Sequence, residues 1–170
     1  MPIVEKISDD KAPEGVKELF SAMTEAQGKV PEWMRVMAQC PDTLQSFFGL
    51  FKTLMDDAPA DPKLKWKIAY RVSEINKCQY CVSVSVNMLK KLGIPEADIA
   101  GIKDGDGEKE KIVLEYAAQM TKKAYAVDPA VVEKMKKHFS DPEIVEITSV
   151  VGLFNYINRF NDALGVIIES

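Results

Sequence analysis

Residues 71–86 read Arg71-Val72-Ser73-Glu74-Ile75-Asn76-Lys77-Cys78-Gln79-Tyr80-Cys81-Val82-Ser83-Val84-Ser85-Val86, and the reading of this stretch decides the fold. Val82, Val84 and Val86 alternate with Cys81, Ser83 and Ser85, the period of two that propensity assigns to a strand. A lone strand has no partner segment in this chain, and tertiary context overrides propensity, so the stretch is read as helix. Upstream, Asp61-Pro62 supplies an N-cap and a first-turn proline, and Leu64, Ile68, Val72 and Ile75 continue at helical spacing into the cysteines. Downstream, Val84, Met88, Leu89 and Leu92 form a helical stripe closed by Gly93 and Pro95. Asn76-Lys77 offers the break that puts Cys78 at a helix start.

The rest of the chain follows the same period. Val16, Leu19, Phe20 and Met23 predict a helix over 13–27, between Pro13 and Gly28. Pro41-Asp42 opens a second, with Leu44, Phe47, Phe48, Phe51, Leu54 and Met55 on one face and an end before Pro59. Asp104 to Glu110 reads as a glycine- and charge-rich loop. Val113, Tyr116, Ala117 and Met120 mark the next helix, Val131, Val132 and Met135 a short one, and Pro142 opens a long last one. No repeat, low-complexity segment or linker interrupts, so a single all-α domain over 1–170 is expected.

With 170 residues, 46% hydrophobic and 28% charged, the chain can bury one core and is neither disordered nor fibrous. Twenty-two basic against 26 acidic residues leave a net charge of −4, which removes the electrostatic basis for nucleic-acid binding. The start of the chain, with Glu5, Lys6, Asp9, Asp10 and Lys11, has no apolar secretory core, so a cytoplasmic location is expected. Ile144 to Ile168 approaches the length of a membrane span. Glu146, Asn155, Asn158, Arg159, Asn161 and Asp162 interrupt it at a cost hydrocarbon does not allow. Its apolar residues, among them Val150, Phe154, Ile157, Phe160, Leu164 and Ile167, spread over more than one face, which predicts a subunit interface and a homo-oligomer.

The chain has three cysteines, Cys40, Cys78 and Cys81. Random placement gives some pair spaced by three with a probability of roughly 0.035, so the Cys78–Cys81 spacing is suggestive rather than decisive. Persistent disulfides are rare in the cytosol, which leaves a redox pair or a metal pair. Zinc needs four ligands, and beyond this pair the chain offers only Cys40 and its single histidine, His138, in no zinc-type spacing. Dithiol chemistry is therefore preferred, with no metal and no cofactor. It needs a thiolate and a second thiol within reach, and the first turn of a helix supplies both. Glu74, Cys78, Cys81 and Ser85 fall on one stripe if the helix runs through or is only kinked, making Glu74 a candidate proton acceptor and Ser85 a candidate polar partner. Tyr80 and Trp66, like Phe47, Phe48 and Phe51, are core aromatics by default and substrate-pocket residues by alternative. Cys40 reads as a buried core thiol and His138 as a surface histidine at a helix C-terminus.

The segment Arg71 to Cys81 resembles the signature of the carboxymuconolactone decarboxylase and AhpD-like alkylhydroperoxidase superfamily, in particular its peroxidase-related branch. Asn155-Tyr156-Ile157-Asn158-Arg159-Phe160-Asn161-Asp162 is similar to that branch's asparagine-arginine segment. The resemblance runs from about Pro13 onward. It implies an all-helical fold assembled as a dimer, trimer or hexamer, with the cysteine pair at the start of a central helix. It also implies a dithiol–disulfide cycle that reduces a small hydroperoxide or a partner disulfide, with a thioredoxin-like or lipoyl-protein reductant. By the same resemblance Cys81 attacks and Cys78 resolves. Where the family has a relay histidine four residues after the second cysteine this chain has Ser85, and where it has a relay glutamate twelve before the first this chain has Trp66. Loss of a positioned acid/base costs about 10²–10⁴ in rate, so slow thiol–disulfide exchange suits this site better than fast peroxide reduction. The alternatives are a lactone decarboxylase and a ligand-binding helical oligomer whose thiols are inert.

Overall fold

The computed structural model describes residues 3–56 and 59–168, Lys103 by its backbone alone; residues 1, 2, 57, 58, 169 and 170, which the single-domain expectation includes, lie outside them. The described chain is all-helical: α1 (Glu14–Gln27), α2 (Glu32–Met37), α3 (Pro41–Asp56), α4 (Pro62–Asn76), α5 (Gln79–Lys91), α6 (Glu96–Ile99), α7 (Glu108–Lys123), α8 (Pro129–His138) and α9 (Asp141–Leu164), with short 3₁₀ turns at Asp9–Lys11, Ile102–Asp104 and Ala124–Ala126. The alternating Val82-Val84-Val86 run is helical, because α5 packs along α4 and no strand exists for it to pair with among the described residues.

Local chemistry sets the helix ends. The Asp61 carboxylate accepts the Lys63 N–H at 2.6 Å ahead of Pro62, and Asp128 does the same for Ala130 at 2.8 Å ahead of Pro129. Ser140 and Glu143 form a capping box at the start of α9. Short α2 and α6 carry too few turns to show a period, and the periodicity reading passes over them. The expected Asp104–Glu110 loop is shorter than its composition indicates. Ile102–Asp104 is a 3₁₀ turn, and Glu108 already starts α7 after Gly107 at φ 84°.

Helix α4 is central, packed against α5, α7 and α9. Its buried residues, Lys65, Trp66, Ile68, Ala69, Tyr70, Val72 and Ser73, occupy more than half of its circumference. Contacts of Lys65 with Glu146 and of Ser73 with Asn158 show that α4 and α9 run in the same direction, side by side. This packing accounts for most of the apolar residues of the last helix, while Ile167 and Ile168 beyond its end stay exposed. Val150, Val151, Leu153, Phe154 and Ile157 are buried within the chain itself, where α9 packs against α4, α7, α3 and α8, while Val145 and Tyr156 stay exposed. Among the described residues no helix is long and apolar enough to cross a membrane.

Candidate active site

The site is built at the joint between α4 and α5. Helix α4 ends at Asn76 because Lys77 takes the left-handed conformation, φ 63°, the lone non-glycine residue with positive φ among those described. The Lys77 and Cys78 N–H groups return to the Glu74 and Ser73 carbonyls, both at 3.1 Å. The chain then restarts, with Cys78 as the N-cap of α5 and its carbonyl accepting the Val82 N–H at 2.9 Å. Cys81 thus lies in the first turn, where unpaired N–H groups and the helix dipole favour negative charge.

Both thiols are free and buried, Cys78 completely and Cys81 to 4% exposure. Their sulfurs are 2.9 Å apart, with the Cys78 thiol donating to Cys81 Sγ. From α9, the side-chain amide of Asn161 donates to the same sulfur at 3.2 Å. The Cys81 pKa is lowered by the Cys78 thiol first and then by the Asn161 and Asn158 amides, against burial and the Asp162 charge. The Cys78 pKa is raised, first by that same hydrogen bond to Cys81 and then by burial. The hydrogen bond thus favours loss of the first proton from Cys81 and keeps the remaining one on Cys78.

A line of amides secures the joint. Asn158 donates to Ser73 Oγ at 3.1 Å, while Asn76 donates to the side-chain oxygens of Asn158 at 3.0 Å and Asn155 at 3.1 Å. Asn155 in turn donates to Thr121 Oγ1 at 3.2 Å. Asn158 and Asn161 are fully buried. Sequence reasoning used these asparagines only to reject a membrane span and to support a resemblance. Their spacing of three, Asn155, Asn158 and Asn161, was the available sign that one face of α9 is polar.

The expected site residues divide. Ser85 stays one turn beyond Cys81 on α5, fully buried, with its hydroxyl lacking a hydrogen-bond partner among the described residues; the side-chain oxygen of Asn161 is likewise unpartnered. Glu74 leaves the stripe because the helix breaks rather than kinks. It accepts from the Tyr70 hydroxyl at 3.1 Å and lies 3.5 Å from Arg71, facing neither thiol in any hydrogen bond. Trp66 and Tyr80 line one cavity of about 340 Å³ together with Trp33, Phe48 and Phe51. Burial pushes the Tyr80 phenol up, keeping it protonated. Cys40 is exposed, not a core thiol: it occupies the turn between α2 and α3, where its N–H bonds the Met37 carbonyl and its own carbonyl starts α3. His138 ends α8, 3.9 Å from Glu108, and so takes no part in the thiol site. No group of three or more His, Cys, Asp or Glu among the described residues is disposed to hold a metal.

Comparison with known proteins matches residues 41–103 to the carboxymuconolactone decarboxylase family. The uncharacterized protein YnjA of Escherichia coli (strain K12) is 26% identical over 115 residues, which cover 64% of this chain and 63% of that protein; the match thus spans less than two thirds of the relative's length. A peroxidase-related protein from Silicibacter sp. TM1040 superposes with a TM-score of 0.88 at 24% identity, covering 99% of this chain and 94% of that one. The AhpD-core, peroxidase-related protein of Ralstonia eutropha JMP134 gives 0.88 at 21%, covering 99% and 93%. The debrominase Bmp8, as a cysteine-to-alanine variant with 2,3,4-tribromopyrrole, gives 0.86 at 23%, covering 100% and 93%. At these identities the likeness to solved structures establishes the fold. The family match covers the segment 41–103, which carries the cysteine pair, and the chain as a whole shares the helical fold of these peroxidase-related structures.

Proposed function

We propose that the chain is a thiol-dependent oxidoreductase of the AhpD-like type, in which Cys81 attacks and Cys78 resolves. The observation that supports this most is the buried pair of sulfurs 2.9 Å apart with the Asn161 amide on Cys81. The Cys81 thiolate attacks the terminal oxygen of a hydroperoxide, the O–O bond breaks, and Cys81 becomes a sulfenic acid while the alkoxide takes a proton from water and leaves as the alcohol. The Cys78 sulfur then attacks the Cys81 sulfur, the disulfide forms, and hydroxide leaves with the Cys78 proton as water. With a partner disulfide as oxidant, Cys81 forms a mixed disulfide that Cys78 resolves. A thioredoxin-like or lipoyl dithiol returns the two electrons.

Within this reading the unpartnered Ser85 hydroxyl and Asn161 oxygen hold the oxygens of the reactant, the hydroxyl donating and the amide oxygen accepting. Neither is a proton shuttle, so turnover is about 10²–10⁴ slower than with a positioned imidazole. The proposed homo-oligomer draws on exposed apolar residues at the chain ends, Ile3, Ile167 and Ile168, brought together where the Ile3 N–H bonds the Leu164 carbonyl at 3.0 Å. Light scattering that finds a monomer at micromolar concentration removes that part.

One equivalent of cumene hydroperoxide, followed by thiol counting and peptide mass spectrometry, tests the redox reading. The expected result is loss of two thiols as a Cys78–Cys81 disulfide, absent in Cys81→Ser. Thiols that stay reduced for hours overturn it in favour of a ligand-binding or decarboxylase-like protein.

A further inference from the structure

The cavity beside α5 has a chemistry of its own. Its wall is a continuous aromatic surface: the ring centroids of Trp33 and Phe51 are 6.3 Å apart and those of Phe51 and Trp66 are 6.4 Å apart, with Phe48 and Tyr80 completing it. Trp33, Phe48, Phe51 and Tyr80 remain only half-buried, so flat apolar faces are left open toward the cavity. At about 340 Å³ the space lies at the small end of the range for small-molecule sites, enough for one or two rings.

The rim carries a definite charge. Among the described residues, Lys29, Lys52 and Lys91 are exposed there against one carboxylate, Asp56, in a chain whose net charge is −4. None of the three lysines forms an ion pair among the described residues, whereas Lys65 and Lys67 are both ion-paired. A cation, which the aromatic faces alone would also attract, is opposed by those three charges; an anion is drawn to them.

We infer that this cavity binds a small aromatic monoanion, an aryl carboxylate or phenolate, with its ring against Trp33, Phe51 and Trp66 and its charge toward Lys29, Lys52 and Lys91. The inference goes beyond the thiol reading, since binding requires neither cysteine. The two sites are nonetheless neighbours on α5: Tyr80 lies beside Cys81 in the chain, and Val84 and Met88 border the stripe that carries Cys81 and Ser85.

Trp33 and Trp66 are the chain's only two tryptophans and both line the cavity, so intrinsic fluorescence excited at long wavelength reports on it directly. The probes are 4-(trifluoromethyl)benzoate and its neutral amide, titrated into the full chain at low and high salt. The expected result is a saturable fluorescence change with the carboxylate binding about tenfold more tightly than the amide, a preference that shrinks in high salt. Replacing the three exposed lysines together (Lys29→Gln, Lys52→Gln, Lys91→Gln) removes the preference while the amide still binds. The Cys78→Ser, Cys81→Ser double variant keeps both, so inert thiols and an empty cavity are told apart. Equal binding of acid and amide by the unaltered chain, or no saturable change at millimolar probe, overturns the inference.

Discussion

Helices α4 and α9 lie side by side and are joined by buried polar contacts at both ends, yet the two ends use opposite chemistry. Near their starts, Lys65, 1% exposed, pairs with Glu146 at 2.6 Å, and Glu146 also accepts the Ala60 N–H at 2.7 Å. Near their ends, neutral amides and a hydroxyl do the joining, through Asn158 with Ser73 and Asn76, and just beyond the joint Asn161 reaches Cys81 at the start of α5. A full ion pair suits an end whose task is to stay closed. Where one sulfur must carry negative charge and then give it up, a fixed cation would lock the thiolate in place, whereas amide dipoles stabilise it modestly and leave it reactive. On the proposed thiol reading, the charged end is for holding and the neutral end for chemistry.

That comparison breaks most visibly at the charged end. Lys65→Met leaves the Glu146 carboxylate buried without its cation and is expected to cost about 3–5 kcal/mol in denaturant unfolding. Adding Glu146→Leu restores much of it, because an apolar pair of similar volume avoids the burial of charge. Neither change moves the thiolate titration of the folded protein; a shift there would mean the two ends are coupled.

At the neutral end the expected losses are smaller and of a different kind. Asn161→Leu removes one donor to Cys81 Sγ. Thiolate absorbance should then titrate about one pH unit higher, a tenfold loss of thiolate at fixed pH below the midpoint, with a stability loss of only about 1 kcal/mol. An unchanged titration would reduce Asn161 to a packing residue.

The reduced pair also links stability to pH in two directions. Cys81 has a lowered pKa when folded, so its contribution is complete above the unfolded thiol value of about 8.5 and is lost as pH falls through the lowered folded value. Cys78 has a raised pKa, so its contribution is present below about 8.5 and is lost as pH rises above it. Unfolding free energies measured from pH 5 to 11 should fall on both sides of a maximum near the unfolded thiol value of about 8.5 in the reduced protein, relative to the oxidised one. A reduced-minus-oxidised difference that is flat with pH contradicts the proton assignment.

The smallest effect belongs to the joint itself. Lys77 holds a left-handed conformation that glycine adopts without strain. Lys77→Gly should stabilise by about 0.5 kcal/mol with the thiol titration unchanged; a destabilisation of similar size would show that the joint draws on the lysine side chain.

These regions differ also in how far the sequence discloses them. The joint is legible, because Asp61-Pro62 opens α4, Asn76-Lys77 interrupts the apolar period, and Cys78 and Cys81 stand three apart, all within one local stretch. What joins α9 to α4 and α5 is not, since Lys65 and Glu146, or Cys81 and Asn161, lie about eighty residues apart and only the packing pairs them. The apolar spread of α9 pointed to another subunit because its partners inside the chain, α3, α4, α7 and α8, cannot be counted from periodicity. Glu74 joined the thiol stripe on paper only while α4 was carried through Lys77. Cys40 was placed in the core by the usual habit of cysteine, which a short turn between two helices overrides.

The central claim is that Cys81 is the thiolate and Cys78 the proton that holds it. Absorbance at 240 nm, followed against pH in a Cys40→Ser background that removes the exposed thiol, tests it without requiring reagent access. The account predicts one thiolate appearing below the ordinary value of about 8.5, abolished by Cys81→Ser and retained in Cys78→Ser, whose hydroxyl still donates. No step below that range, or a step that disappears with Cys78 instead, contradicts it.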